Sequence, residues 1–158
     1  MTLFRITDIK SLMKALFTDE LFDTFFLNSA VIKMYTTTTI DGHINEAFFR
    51  GDESFVPTGA EYVLWKELRP FCLNIIKGRR TPLSLKLVLS RDPASLSFES
   101  DISGISALHL KVLYEENVCT LTTGVNYRVF SGDRAAEQEW DAMTEKFLTE
   151  NGLKFDPL

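Results

Sequence analysis

The sequence predicts an α+β protein in which an antiparallel sheet carries two helices packed on one face, with a further helix near the C-terminus. Three observations support this fold class. Apolar residues recur at three- and four-residue steps over 8–17 and 60–77, as on the buried face of a helix. Elsewhere apolar, β-branched residues alternate with polar ones, as in half-buried strands. Short turn signals between these strands favour antiparallel neighbours.

The length and composition predict one domain. A chain of 158 residues with 45% hydrophobic and 25% charged residues can bury its own core and is unlike a disordered protein. We predict a single domain over 1–158, in which the order of elements nearly repeats between 1–52 and 53–130 before a C-terminal helix at 133–151. No apolar segment suffices to cross a membrane and the N-terminus lacks a signal peptide's apolar core, so we expect a cytoplasmic protein with no membrane partner. The sequence leaves the oligomeric state open.

The first part of the chain is predicted to hold a short strand, a helix and a β-hairpin. Thr7 or Asp8 is suited to cap the helix, whose apolar residues share one stripe. The β-branched residues over 31–40 predict a strand. Asp41-Gly42 is typical of a two-residue hairpin turn, so we expect this strand to fold back onto 43–49.

The central helix is predicted over 60–77. Thr58 and Glu61 match a capping box at its start, and Gly78 is suited to the left-handed conformation that ends a helix. Pro70 lies inside the pattern and removes one backbone donor. We therefore expect a kink there, or two abutting helices.

The second half of the chain is predicted to be mainly strands. A half-buried strand over 83–89 precedes an exposed loop over 91–104, and strands over 105–115 and 118–129 form a hairpin around Glu116-Asn117. This turn places the inward residues of the first strand opposite those of the second, in the pairs Leu108 with Val125, Leu110 with Thr123, Val112 with Leu121 and Tyr114 with Cys119.

Positive charge is concentrated on the first two helices, although the net charge of the chain is −5. The last helix, which is predicted to begin after Asp133 and to end at Asn151-Gly152, carries an acidic outer surface instead. Two basic helices side by side would suit a nucleic-acid backbone or a protein partner, although runs of charge are more often simply solvated. The candidate nucleic-acid-binding residues are Lys10, Lys14, Lys66, Arg69, Lys77, Arg79 and Arg80.

The sequence predicts no catalytic residue, metal site or cofactor. His43 and His109 have no neighbour at metal-ligand spacing, and the phosphate-binding, dinucleotide-binding and hydrolase motifs are missing. Cys72 and Cys119 lie far apart on apolar faces, as expected of buried free thiols. The leading hypothesis is therefore a non-enzymatic binding module that uses the basic helix faces.

Two alternatives from other functional classes stay open. One is a small cytosolic enzyme or ligand-binding protein with a pocket near His109, for which Lys111 and Arg128 are further candidate lining residues. The other is a protein–protein adaptor that uses the acidic C-terminal helix. The sequence ranks neither above the other.

A set of short motifs runs from the central helix to the last predicted strand: Trp65, Arg69-Pro70-Phe71, Lys77-Gly78-Arg79-Arg80-Thr81-Pro82-Leu83, Thr123-Gly124 and Tyr127. With these motifs the chain resembles, over nearly its whole length, a family of short bacterial proteins that is known as a domain of unknown function. The resemblance implies no activity. Two successive strand–helix–strands units with basic helix faces also resemble one domain of a DNA sliding clamp, whose helices face the duplex. The acidic last helix departs from that architecture.

Overall fold

A single antiparallel sheet of eight strands carries three helices in the computed structural model, which describes residues 1–54, 59–130 and 132–157. This confirms the α+β prediction. The strands are β1 (Leu3–Ile6), β2 (Phe26–Lys33), β3 (Thr37–Asp41), β4 (Val63–Leu64), β5 (Ser84–Arg91), β6 (Ile105–Glu115), β7 (Val118–Tyr127) and β8 (Phe155–Pro157). The helices are α1 (Ile9–Phe17), α2 (Trp65–Ile76) and α3 (Ala135–Glu150), and short 3₁₀ turns lie at Glu46–Phe49 and Pro93–Ser95.

The strand order in the sheet is β3-β2-β5-β6-β7-β1-β8. The short strand β4 lies outside this linear order and pairs with β2. The pairing of β2 with β5 joins the two halves of the chain, and β1 returns to pair with β7. The pseudo-repeat and the likeness to a sliding-clamp domain stay predictions.

The hydrophobic core lies on one face of the sheet, beneath the three helices. Two tryptophans connect the helices to neighbouring elements. The indole Nε1 of Trp65 on α2 donates to the carbonyl of Leu16 on α1 at 2.8 Å, and that of Trp140 on α3 donates to the carbonyl of His109 on β6 at 3.0 Å. Among the described residues, the opposite face carries none of the three α-helices. Strand residues buried on the core face include Leu27, Ile32, Leu87, Leu110, Val112 and Leu121.

Two predicted elements are confirmed residue by residue. Asp8 caps α1, since its carboxylate accepts the backbone N–H of Ser11 at 3.2 Å. In the β6–β7 hairpin all four predicted cross-strand pairs are present. Glu116 and Asn117 form its turn with φ of 50° and 63°, the left-handed conformation that a two-residue hairpin turn requires.

The predicted hairpin at Asp41-Gly42 is wrong. The chain turns earlier, where the N–H of Met34 donates to the carbonyl of Thr36 at 3.0 Å, so the threonine run forms β3 and pairs with β2. The segment 43–49 contributes only an isolated bridge and a 3₁₀ turn. Gly42 serves close packing instead, because a Cβ atom on it would lie 1.8 Å from the carbonyl oxygen of Leu27.

The predicted start of the central helix is also wrong. Residues before Trp65 form β4, which pairs with β2, and Leu64 precedes the helix without a side-chain cap. Thr58, half of the predicted capping box, lies outside the described residues. The helix continues through Pro70, and Gly78 follows its C-cap with a φ of 138°, a conformation that favours glycine.

Two smaller expectations for the second half need correction. Leu83 does not belong to the buried face of β5, since it is 72% exposed. The loop over 91–104 is not simply exposed, because Leu96, Phe98 and Ile102 pack against the core. The strand β8 was not predicted at all.

Candidate functional site

The basic ends of α1 and α2 meet around one groove. The two helices lie together on the core face of the sheet, with the rings of Phe17 and Trp65 5.5 Å apart. Lys10 from α1 and the adjacent Arg79 and Arg80 after α2 line this groove, which has a volume of about 320 Å³. Its remaining lining is mainly apolar: Ile9, Met13, Ile76, Pro82, Leu85 and Tyr114.

Six of the seven candidate cations are exposed and available to a ligand. Within the described parts of the chain none of the six forms an ion pair. They include the three groove residues and lie on α1, on α2 and in the segment after α2. The six are Lys10, Lys14, Lys66, Lys77, Arg79 and Arg80.

Arg69 differs from the other six cations. Its side chain is only 17% exposed, and its guanidinium pairs with the carboxylate of Asp23 at 3.3 Å and also donates to the carbonyl of Asp19. These contacts tie α2 to the segment that follows α1. Arg69 therefore has a structural task, and its charge is already balanced within the fold.

The acidic residues of α3 are largely engaged inside the molecule. Glu137 binds the amino group of Met1, and Asp141 accepts a hydrogen bond from the hydroxyl of Thr123. Glu139 accepts the backbone N–H groups of Glu99 and Ser100 at 2.9 and 2.7 Å, and hydrogen bonding to Ser100 lowers the pKa of its carboxyl. Through these contacts the acidic side chains hold α3 and the loop over 91–104 in place. Fewer carboxylates of α3 therefore remain available to bind a partner at an adaptor surface.

A second concave site lies on the face of the sheet opposite the helices, at His109. This cleft has a volume of about 410 Å³, and its floor is formed by the ends of β2, β5, β6 and β7. The segment 59–62 lines it from the side. Polar groups that line it include Asn28, Tyr62, Ser90, His109, Asn126 and Arg128.

A β-bulge places the central polar group of the cleft. Asn28 is the extra residue of β2 at the point where its register with β5 shifts. Its side-chain oxygen accepts the hydroxyl of Ser90 at 2.6 Å, and its amide nitrogen lies 3.4 Å from Nε2 of His109. Ser90 is only 4% exposed, so the network is anchored in the sheet while Asn28 and His109 stay partly exposed to the cleft, and bulges recur beside functional sites.

Small neighbours leave room around His109. Its cross-strand partners are Ser90 on β5 and Gly124 on β7. Burial lowers the pKa of the His109 imidazole below its usual value of 6.5, which favours the neutral ring at neutral pH. The amide of Asn28 donates to Nε2, so the ring proton is assigned to Nδ1, which is left to donate elsewhere.

Sequence reasoning found the cleft only in part. His109 and Arg128 line it, whereas the exposed Lys111 does not. His43 is not a lining residue, but it contacts two residues that are: its Nε2 lies 3.8 Å from the carboxylate of Glu61, and its ring lies 5.7 Å from that of Tyr62. Asn28 was missed because the bulge that presents it depends on pairing between distant strands. The sequence contained one signal for the site. Gly124 lies in the middle of a strand, and a glycine there often marks the close approach of a ligand.

Residues 15–156 match the model of a family of unknown function, DUF5721. The chain belongs to this family. The match covers most of the sequence and confirms the resemblance to a domain of unknown function. No curated protein matches the chain, and no solved structure matches it.

Other kinds of site have little support in this DUF5721 protein. Across the described residues, no helix combines the length and the apolar character needed to traverse a bilayer. Over the same residues, no three His, Cys, Asp or Glu side chains are grouped so that they could hold a metal ion. Cys72 and Cys119 are buried free thiols, and burial raises their pKa values to about 11 and about 12.

Proposed function

We propose that this DUF5721 protein is a non-enzymatic binding module that holds nucleic acid by its phosphate backbone on α1 and α2. The convergence of Lys10, Arg79 and Arg80 on one groove supports the proposal most directly. These residues come from different elements, so the fold gathers a positive patch on a chain with a net charge of −5.

The physical basis is the release of counterions. Exposed lysine and arginine side chains that neutralise phosphates free the cations condensed on the nucleic acid, and this gain does not depend on base sequence. The six exposed cations are free of ion pairs with described residues, so binding would break no salt bridge. Affinity is then expected to fall steeply with salt.

The proposal is tested by fluorescence anisotropy with labelled duplex DNA, single-stranded DNA and RNA at low salt. In the double variant Arg79→Glu, Arg80→Glu we expect binding at least about tenfold weaker, with a log–log salt slope smaller in magnitude by about 2. The matched control is Lys86→Glu, Lys111→Glu, which changes the charge equally on the face opposite the helices. Absence of binding by the unaltered protein, or an equal loss in the control, would contradict the proposal.

A second candidate function, docking of an acidic protein segment, is favoured by the apolar floor of the groove. Phosphate groups gain nothing from Met13, Ile76 and Pro82, whereas an apolar anchor side chain between carboxylates would use both the floor and the rim. A peptide array that varies one central leucine and its flanking acids tests this candidate. Binding that needs both features, and that is lost in the Arg79→Glu, Arg80→Glu variant, would favour a peptide over nucleic acid.

We also infer a cytoplasmic location. Two buried thiols without a disulfide suit a reducing compartment. Fractionation of cells that produce the protein tests this location directly.

A further inference from the structure

We propose that the cleft around His109 binds an uncharged, polyhydroxylated ligand of the size of a mono- or disaccharide. The cleft lies on one face of the sheet, whereas α1 and α2 cover the other face. The inference therefore adds a second site and does not depend on the proposed binding of nucleic acid.

The cleft is a built feature of the fold. Asn28 is fixed by its own contacts with Ser90 and His109, and its backbone carbonyl accepts the N–H of Gly42 at 3.0 Å. Gly42 in turn packs against the backbone of Leu27 too closely for any side chain. The bulge is therefore held on both sides, and its polar side chain is preorganised toward the cleft.

Gly124 adjoins the cleft as the cross-strand partner of His109, although it is not itself a lining residue. A Cβ atom at this position would lie 3.7 Å from the Cβ of His109, an ordinary contact distance. The glycine is therefore not needed to avoid a clash or to adopt a left-handed backbone. It leaves open the area beside the imidazole, where a bound ring could lie against the sheet.

The charges around the cleft nearly cancel. Arg128 contributes one positive charge and Glu61 and Asp92 contribute two negative ones, whereas the guanidinium of Arg91 lies over the ring of the core residue Phe25 at 5.5 Å. His109 is neutral at neutral pH, because its burial lowers the pKa of the imidazole. A cleft with both signs of charge and little net charge attracts neither anions nor cations strongly, so selectivity must come from hydrogen bonds.

The hydrogen-bonding groups suit vicinal hydroxyls, which both donate and accept. Nδ1 of His109 and the guanidinium of Arg128 can donate, the carboxylates can accept, and the side chain of Asn126 can do both. Tyr62 on the side wall adds an aromatic ring, whose apolar face can cover the C–H side of a sugar ring. Together these groups match an uncharged sugar better than an ion or an apolar molecule.

The proposal is tested by ¹H–¹⁵N NMR titration of the full chain with glucose, galactose and maltose, each to tens of millimolar. We expect shifts at the amides of Asn28, Tyr62 and Gly124. In the double variant Asn126→Ala, Arg128→Ala, which removes two hydrogen-bonding side chains that line the cleft, the affinity should fall at least tenfold. The control Thr122→Val changes the same face of β7, two positions before Gly124, and should leave the affinity unchanged.

Three outcomes would overturn the proposal. One is the absence of shifts with every neutral sugar, and another is equal binding by the Asn126→Ala, Arg128→Ala variant in a sample whose spectrum shows it folded. The third is tighter binding of glucose 6-phosphate or of adenosine than of the neutral sugars, because either result would assign the cleft to another class of ligand.

Discussion

At the scale of single residues, Gly42 shows how one position can fix a neighbouring strand. The N–H of Gly42 donates to Asn28, while its α-carbon packs against the carbonyl of Leu27. The glycine thus lies directly against the bulge of β2. Its sequence context, after an aspartate, is typical of a turn, but its task is to let two backbones approach closely.

Replacing Gly42 with alanine is expected to destabilise the protein by about 3 kcal/mol, since the new methyl group requires a backbone shift. Urea unfolding followed by circular dichroism measures this loss. The matched control is Gly124→Ala, where the added Cβ meets only an ordinary contact at 3.7 Å. That control should change the free energy of unfolding by less than about 1 kcal/mol. Equal losses in the two variants would show that close packing at Gly42 is not the reason.

At the scale of elements, local sequence determined some structures and tertiary pairing determined others. The turn and four cross-strand pairs of the β6–β7 hairpin were predicted correctly because its strands alternate beside one turn, although β7 ends at Tyr127 and not at 129. The segment before Trp65 was predicted as helix, yet it pairs with β2, a strand more than thirty residues earlier. A local pattern cannot report such a partner. The same limit hid Asn28 from the predicted site, whereas His109 was visible because it lies in the regular hairpin.

The turn of this hairpin offers a test of local backbone strain. Glu116 adopts a φ of 50°, which asparagine tolerates better than glutamate. The substitution Glu116→Asn is therefore expected to stabilise the protein by about 0.5–1 kcal/mol, seen as a higher midpoint in thermal unfolding. Glu115→Asn, at the exposed last position of β6, is the control and should give no gain. A gain of the same size there would mean that removal of negative charge, not backbone conformation, is responsible.

At the scale of the whole molecule, the sheet makes the two halves of the chain interdependent. β2 pairs with β5 along nearly its full length, and β1 pairs with β7. Buried residues from both halves form one core cluster. A cooperative single domain is the expected behaviour of such a sheet.

Two tryptophans allow this cooperativity to be measured. Trp65 packs against α1, and Trp140 contacts β6 from α3, so they report on different parts of the core. In the single-tryptophan variants Trp65→Phe and Trp140→Phe, we expect the fluorescence transition to coincide with the circular dichroism transition of the same variant. Within each variant, the fluorescence and circular dichroism midpoints should fall at the same denaturant concentration. Separate midpoints within either variant would reveal two independently unfolding units and would contradict the single-domain prediction.

The pairing of β1 with β7 also has a consequence for folding while the protein is being synthesised on the ribosome. Phe4 and Ile6 are made first, but their partners Leu121 and Cys119 are made more than a hundred residues later. At ordinary rates of translation this delay lasts on the order of 10 s. For that time the apolar side chains of β1 lack the β7 neighbour that will shelter them, so they are open to wrong partners or chaperones during synthesis.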